Sequence, residues 1–213
     1  MPNPQHPHAG QKVYQAGKPL AEAKTAMILL HGRGAGALDI LPLSDLLPHP
    51  DMAYFAPHAL RASWYPFSFL APLNNNEPYL SSALQIIDDL VRDIEQAGIP
   101  ANKLVLAGFS QGACLSSEYI ARHPRRYGGV LVFSGGLIGP PQMSRDYEGS
   151  LDDTPIFLGC SDTDFHIPEE RVHESTATFK RMGANVTEVI YPNMGHTIIE
   201  PELVQARQIV ETV

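Results

Sequence analysis

The chain has 213 residues, 44% of them hydrophobic and only 18% charged, a composition that suits one folded domain and excludes a disordered polar chain. Fifteen basic against twenty-three acidic residues leave a formal charge of −8 with no Lys/Arg cluster, which argues against a nucleic-acid partner. No apolar run approaches the roughly 20 residues that a membrane-spanning helix needs.

Met1 to His8 lack the apolar stretch of a secretion signal, and residues 1–10 are expected to form a loose arm. Val13-Tyr14-Gln15 suggests a short strand. Thr25 to Leu30 is a continuous apolar run, as expected of a strand covered on both faces in a mainly parallel sheet. It ends in the glycine-rich loop His31-Gly-Arg-Gly-Ala-Gly36. That loop lacks the Gly-Lys-Ser/Thr ending of a phosphate-binding loop and the spacing of a dinucleotide fold, so nucleotide binding is not expected. Leu38 to Leu47 reads as a helix interrupted near Pro42, and Met52 to Ala56 as another short strand. Pro57 to Asn76 is a long connection containing Trp64, Tyr65, Phe67, Phe69 and Leu70. Loops of that length in compact domains are usually functional or mobile. Its rings either line an acyl pocket or only plug the loop onto the body.

Leu80, Leu84, Ile87, Val91 and Ile94 recur at helical spacing with charged residues between them, and Gly98 and Pro100 end that helix. Lys103 to Ala107 reads as a buried strand running into Gly108-Phe109-Ser110-Gln111-Gly112, with a helix from about Gln111. This is the G-x-S-x-G pattern of a nucleophile elbow, in the strand–turn–helix context that the pattern needs. A strand folding straight back into a helix crowds the residues two before and two after the apex, so small residues are required there. The serine hydroxyl stands at the N-terminus of the new helix, where unpaired N–H groups favour negative charge.

Gly129 to Ser134 is a further apolar strand, and Gly135 to Asp153 reads as loop. Pro155 to Gly159 is a strand ending in Cys160-Ser-Asp-Thr-Asp164-Phe-His-Ile-Pro168. Val172, Thr176, Phe179 and Met182 space a helix. Asn185 to Tyr191 alternates like a strand nearer the sheet edge, and Asn193-Met-Gly-His196 is its terminal loop. Pro201 suits an early helical position, and Leu203 to Val213 closes the chain as a helix. Strand and helix alternate with no repeat and no linker. The expectation is a single α/β domain over residues 1–213, with a mostly parallel sheet and helices on both faces.

Serine catalysis needs a base and a group that orients the base. After an elbow serine these follow in the order acid, then histidine. Asp164 and His196 fall just past strand ends on the rim that carries Ser110, the rim on which open α/β sheets do their chemistry. Asp162 competes with Asp164, since either could cap a turn. His31 precedes the elbow and reads as a support for the glycine-rich loop. His166 is a candidate for the pocket rim. A metal reading of Asp162, Asp164, His166 and His173 lacks a second ligand cluster, so neither metal nor cofactor is expected. Cys114 and Cys160 carry no CxxC and are expected to be buried, reduced thiols of a cytoplasmic protein, with a single disulfide between them left open.

From Thr25 to the C-terminus the chain resembles the phospholipase/carboxylesterase family of α/β hydrolases, which includes small bacterial carboxylesterases and acyl-protein thioesterases. The resemblance rests on His31-Gly-Arg-Gly, Gly108-Phe-Ser-Gln-Gly112, Ser161-Asp-Thr-Asp164 through Ile167-Pro168, and Met194-Gly-His196. It implies a Ser110–Asp164–His196 triad, and an oxyanion hole from the backbone N–H groups of Arg33 and Gln111. It selects Asp164 over Asp162. It implies a small ester as substrate and allows a homodimer. Trp64, Tyr65, Phe67 and His166 are the candidate pocket residues. Arg33 stands where thioesterases are often apolar, and Pro66 where relatives often have Asp. These departures surround the acyl pocket and favour short to medium acyl or aryl esters over long chains. Arg33 itself has two readings: a partner for a substrate carboxylate, or a residue of which only the backbone matters.

Overall fold

The apolar runs become one seven-stranded sheet in the computed structural model, which describes residues 5–213. The strands are β1 (Val13–Gly17), β2 (Thr25–Leu30), β3 (Met52–Pro57), β4 (Leu104–Phe109), β5 (Gly129–Phe133), β6 (Pro155–Ser161) and β7 (Asn185–Tyr191). Their spatial order is β1-β3-β2-β4-β5-β6-β7, and only β1 runs antiparallel to its neighbour. Every residue of β2, β3 and β5 is buried, as strands covered on both faces require. β7, at the edge, is half-exposed along its length, which is why its sequence alternates.

Alternate side chains feed two separate cores. Ile28, Leu106 and Val130 meet the helices α3 (Tyr79–Gln96), α4 (Gln111–Arg122) and α5 (Glu169–Arg181) on one face. Met27, Leu29, Val105 and Leu131 meet α1 (Ala37–Ile40), α2 (Leu43–Leu46) and α6 (Glu200–Val210) on the other. The period of two within each strand thus divides the apolar residues between the layers. Among the described residues no helix is long and apolar enough to cross a membrane.

The connection from β2 runs to β3 on one side, and the chain then returns to lay β4 on the other. The crevice at the carboxyl ends of β2 and β4 is therefore a topological switch point, the place where open α/β sheets hold ligands. The loops that follow these two strands are the glycine-rich loop and the elbow.

Three expectations change. β4 extends through Gly108 and Phe109, which pair with Val132 and Phe133 of β5, so the elbow begins while the chain is still in the sheet. Residues 57–76, for which a functional or a mobile loop was open, are pinned. Asn76 is fully buried, its Oδ1 accepts the Phe67 N–H, and its Nδ2 donates to the Ser68 carbonyl. The expected loose arm over residues 1–10 lies outside the described residues for positions 1–4, and at His8 the structure contradicts it. His8 is fully buried: its backbone N–H donates to Ser82 Oγ, its Nδ1 accepts the Leu60 N–H at 3.0 Å, and its Nε2 donates to the Trp64 carbonyl at 2.8 Å. An imidazole that satisfies both ring nitrogens inside the protein holds its segment down.

Candidate active site

Ser110 stands at the tip of β4 with φ 55° and ψ −117°, a strained conformation for a residue with a side chain. Its N–H donates to the Phe133 carbonyl, and its own carbonyl accepts from Cys114. These bonds latch the tip to β5 and start α4. A Cβ on Gly108 would lie 2.4 Å from the Gly112 carbonyl carbon, which is the crowding expected of the turn. Gly112 answers to a different neighbour: a Cβ there would lie 2.1 Å from the Leu30 carbonyl oxygen at the end of β2. The second glycine therefore lets the helix pack on the adjacent strand.

His196 Nε2 is 2.8 Å from Ser110 Oγ, and His196 Nδ1 is 2.6 Å from Asp164 Oδ2. Asp164 Oδ1 accepts the backbone N–H groups of His166 and Ile167 at 2.8 and 3.2 Å. The carboxylate side chain is sealed from solvent, whereas the imidazole is 19% exposed. The acid is thus fixed by two amides on one oxygen and presents the other to the imidazole, while the serine end opens to the cleft. Asp162 does not reach His196. Its Oδ1 accepts the N–H of Asn193 at 2.8 Å, joining the loop after β6 to the loop after β7. His173 pairs with Glu169 and Glu188 on the surface, away from Asp164, so the four residues weighed as metal ligands do not converge.

The imidazole is in contact with two rings. The ring centroids of Phe109 and His166 each lie 4.8 Å from that of His196. Phe109 was missed by the sequence reading, although it is the variable position before the elbow serine. His31 is fully buried; its Nδ1 donates to the Gly32 carbonyl and its Nε2 accepts the Ala59 N–H. It braces the glycine-rich loop, as expected. A Cβ on Gly32 would lie 3.4 Å from Ser110 Cβ, so this loop passes directly over the serine.

Gln111 opens α4, which leaves its N–H among the donors with no partner inside the helix. Its side chain has a second task that the sequence did not disclose. Oε1 accepts the Trp64 N–H and Nε2 donates to the Tyr65 carbonyl, both at 2.8 Å. The residue after the serine thus clamps the aromatic loop to the elbow.

A cleft of about 440 Å³ opens beside Ser110 and His196, within the range of small-molecule sites. Tyr65, Phe67 and His166 line it, together with Phe69, Cys114 and Ile167. Trp64 does not. It is fully buried behind the wall, where its indole N–H donates to the His31 carbonyl at 2.9 Å. An indole needs a partner for its one polar atom when buried, and here that partner is the loop backbone. Cys114 and Cys160 are free and buried, and burial pushes each thiol up to about 12, so neither competes as a nucleophile near neutral pH.

The family profile described as Phospholipase/Carboxylesterase matches residues 12–213. Among solved structures, the phospholipase/carboxylesterase of Dyadobacter fermentans is 42% identical, with a TM-score of 0.91 over 95% of this chain and 97% of that one. The carboxylesterase of Bacillus cereus is 19% identical with a TM-score of 0.74, covering 95% of this chain and 94% of that one, a likeness of fold. The acyl-protein thioesterase 1 of Cryptococcus neoformans is 29% identical over 161 residues, 67% of this chain and 68% of that protein.

Proposed function

This chain belongs to the phospholipase/carboxylesterase family, and from that membership we propose an esterase of short to medium acyl or aryl esters that works through an acyl-enzyme on Ser110. The observation that carries the reading is the unbroken proton path from Ser110 Oγ through His196 to Asp164, at 2.8 and 2.6 Å.

In this reading His196 Nε2 takes the Ser110 proton as the oxygen attacks the ester carbonyl. Asp164, already bonded to Nδ1, holds the tautomer that leaves Nε2 free to accept and stabilises the imidazolium. The oxyanion forms beside the backbone N–H groups of Arg33 and Gln111, each worth roughly 3 kcal/mol by analogy with a single donor of that kind. The tetrahedral centre collapses, and the alcohol departs with the proton from His196. Water then gives its proton to His196, attacks the acyl carbon, and releases the acid and Ser110. No step calls on a metal or cofactor.

A second reading, hydrolysis of long-chain thioesters or lysophospholipids, is favoured by the likeness to the Cryptococcus thioesterase. The aromatic lining favours the shorter esters, because Tyr65 and Phe69 stand in the cleft. A catalytically silent binding module is disfavoured by a serine already placed against its base. We also assign the chain to the cytoplasm on its two free thiols, and the homodimer allowed by family resemblance is open to light scattering. The deciding experiment labels the protein with a fluorophosphonate and follows a chain-length series of 4-nitrophenyl esters. Labelling and short-ester hydrolysis that vanish in Ser110→Ala support the proposal. Hydrolysis that survives the substitution sinks it.

A further inference from the structure

Arg33 lines the cleft beside Ser110, and its side chain is exposed. Its guanidinium is held in place: Nη1 donates to the Pro66 carbonyl at 2.7 Å, Nη2 to the Phe67 carbonyl at 2.5 Å, and the head lies 5.9 Å from the Tyr65 ring centroid. These bonds use two of the five N–H donors of the head. The remaining three have no protein partner among the described residues. Its two acceptors are neutral carbonyls, so its charge is not cancelled.

The surroundings sharpen this. None of the residues lining the cleft is an aspartate or glutamate. Asp164 is sealed behind His196. In a chain of net charge −8, the cleft therefore presents a fixed positive charge next to the reacting serine. A neutral ester brings no anionic group of its own for that charge to bind before reaction. A carboxylate gains a charge-assisted, geometrically matched pair with a fork whose orientation has already been set. Ordering the side chain in advance removes most of the entropic cost of making that pair.

We propose that Arg33 makes the enzyme selective for esters that carry a carboxylate, which the guanidinium holds while the ester carbonyl sits over Ser110. The inference rests on the esterase reading and names its substrate class. The backbone N–H of the same residue faces the reacting carbonyl in that reading, so the carboxylate lies a short chain away from the scissile bond.

Matched substrates test it. On the acyl side, monomethyl glutarate is compared with methyl valerate, followed by proton release. On the alcohol side, 4-acetoxybenzoate is compared with 4-acetoxybenzamide. The readout is the ratio of kcat/KM for the anionic over the neutral member, in the wild type, Arg33→Lys and Arg33→Met. Because the ratio is taken within one protein, any disturbance of the oxyanion N–H cancels. In at least one arm the wild-type ratio is expected to be about tenfold, the scale of one charge-assisted bond at an exposed site. It should shrink with added salt, survive in part in Arg33→Lys and fall to about one in Arg33→Met. A wild-type ratio at or below one in both arms, or an equal ratio in wild type and Arg33→Met, overturns the proposal. The wild-type comparison decides the matter even if a variant fails to fold. A protein that labels with fluorophosphonate but ignores substrate charge fails this inference alone. One that neither labels nor hydrolyses any of the four esters fails the esterase reading beneath it.

Discussion

Asp162 and Asn193 join the two loops that carry the acid and the base: Asp162 Oδ1 accepts the Asn193 N–H at 2.8 Å, two residues before Asp164 and three before His196. The Asp162 N–H also donates to the Tyr191 carbonyl, so the two loops are tied twice. One aspartate sets the separation of the loops, and the next spans it.

Asp162→Ala is therefore expected to lower kcat by up to roughly 10²-fold, the cost of a misplaced reacting group, with a small change in melting temperature. Asp164→Asn removes the orienting charge and is expected to cost about 10⁴. Steady-state kinetics on one short ester separates them. Equal losses in the two variants would show that Asp162 does more than hold the loops together.

The second elbow glycine carries a stability prediction. In Gly112→Ala the new methyl meets the Leu30 carbonyl oxygen at 2.1 Å and the His31 carbonyl oxygen at 2.7 Å, and backbone cannot step aside cheaply. A loss of about 3 kcal/mol or more is expected in urea unfolding, at the upper end of ordinary overpacking. Gly34→Ala is the control. Its φ is +80° but nothing lies within 4 Å, so only backbone strain of about 1–2 kcal/mol applies.

Burial lowers the pKa of His8 and of His31, outweighing the backbone carbonyl that each ring bonds. The folded state therefore binds fewer protons than the unfolded chain once the pH drops below the ordinary histidine value. Their contribution is present above about pH 6.5 and is lost as the pH falls through the folded pKa. Between about pH 7 and pH 5 the histidine contribution decreases toward acid, and the difference in melting temperature between the wild type and His8→Ala isolates it. His8→Ala should melt lower at every pH, with a shallower acid slope. An unchanged slope would mean that His8 charges freely in the fold.

Glu202 works in the opposite sense. It is fully buried in α6; Oε2 accepts the Ile199 N–H at 3.0 Å, and Oε1 has no hydrogen-bond partner among the described residues. Burial pushes its pKa up to about 7 from the usual 4.5. Here the folded state binds the extra proton, so the stability contribution is full below the unfolded value and is lost as the pH rises through about 7. The loss is at most about 3 kcal/mol. Glu202→Gln should remove this loss between about pH 4.5 and 7, so that melting temperature climbs more steeply with pH in that window than in the wild type, and an unchanged slope there would mean that Glu202 ionises freely in the fold.

The parts of the fold written in local pattern were legible. Thr25 to Leu30 reads as a strand covered twice, and the order Ser110, Asp164, His196 along the chain is enough to put three groups on one rim. The choice between Asp162 and Asp164 was not local, because it depends on which carboxylate faces the neighbouring loop. The same holds for the Gln111 side chain, whose amide complements the Trp64 and Tyr65 backbone only after the aromatic loop folds over the elbow. Trp64 was misplaced for that reason: a ring in a cleft-forming loop looks like lining until its N–H is seen to turn inward to His31. His8 was missed because a proline-rich segment says nothing of the hole it fills between α3 and residues 60–64.

Cys114 lies one turn along α4 from the reacting serine and is fully protonated and shielded. Because it also forms part of the cleft wall, iodoacetamide reaches it only through the cleft and only as the walls part. The alkylation rate in the resting enzyme is then a clock for the opening of the cleft wall, readable by mass spectrometry without any substrate or substitution.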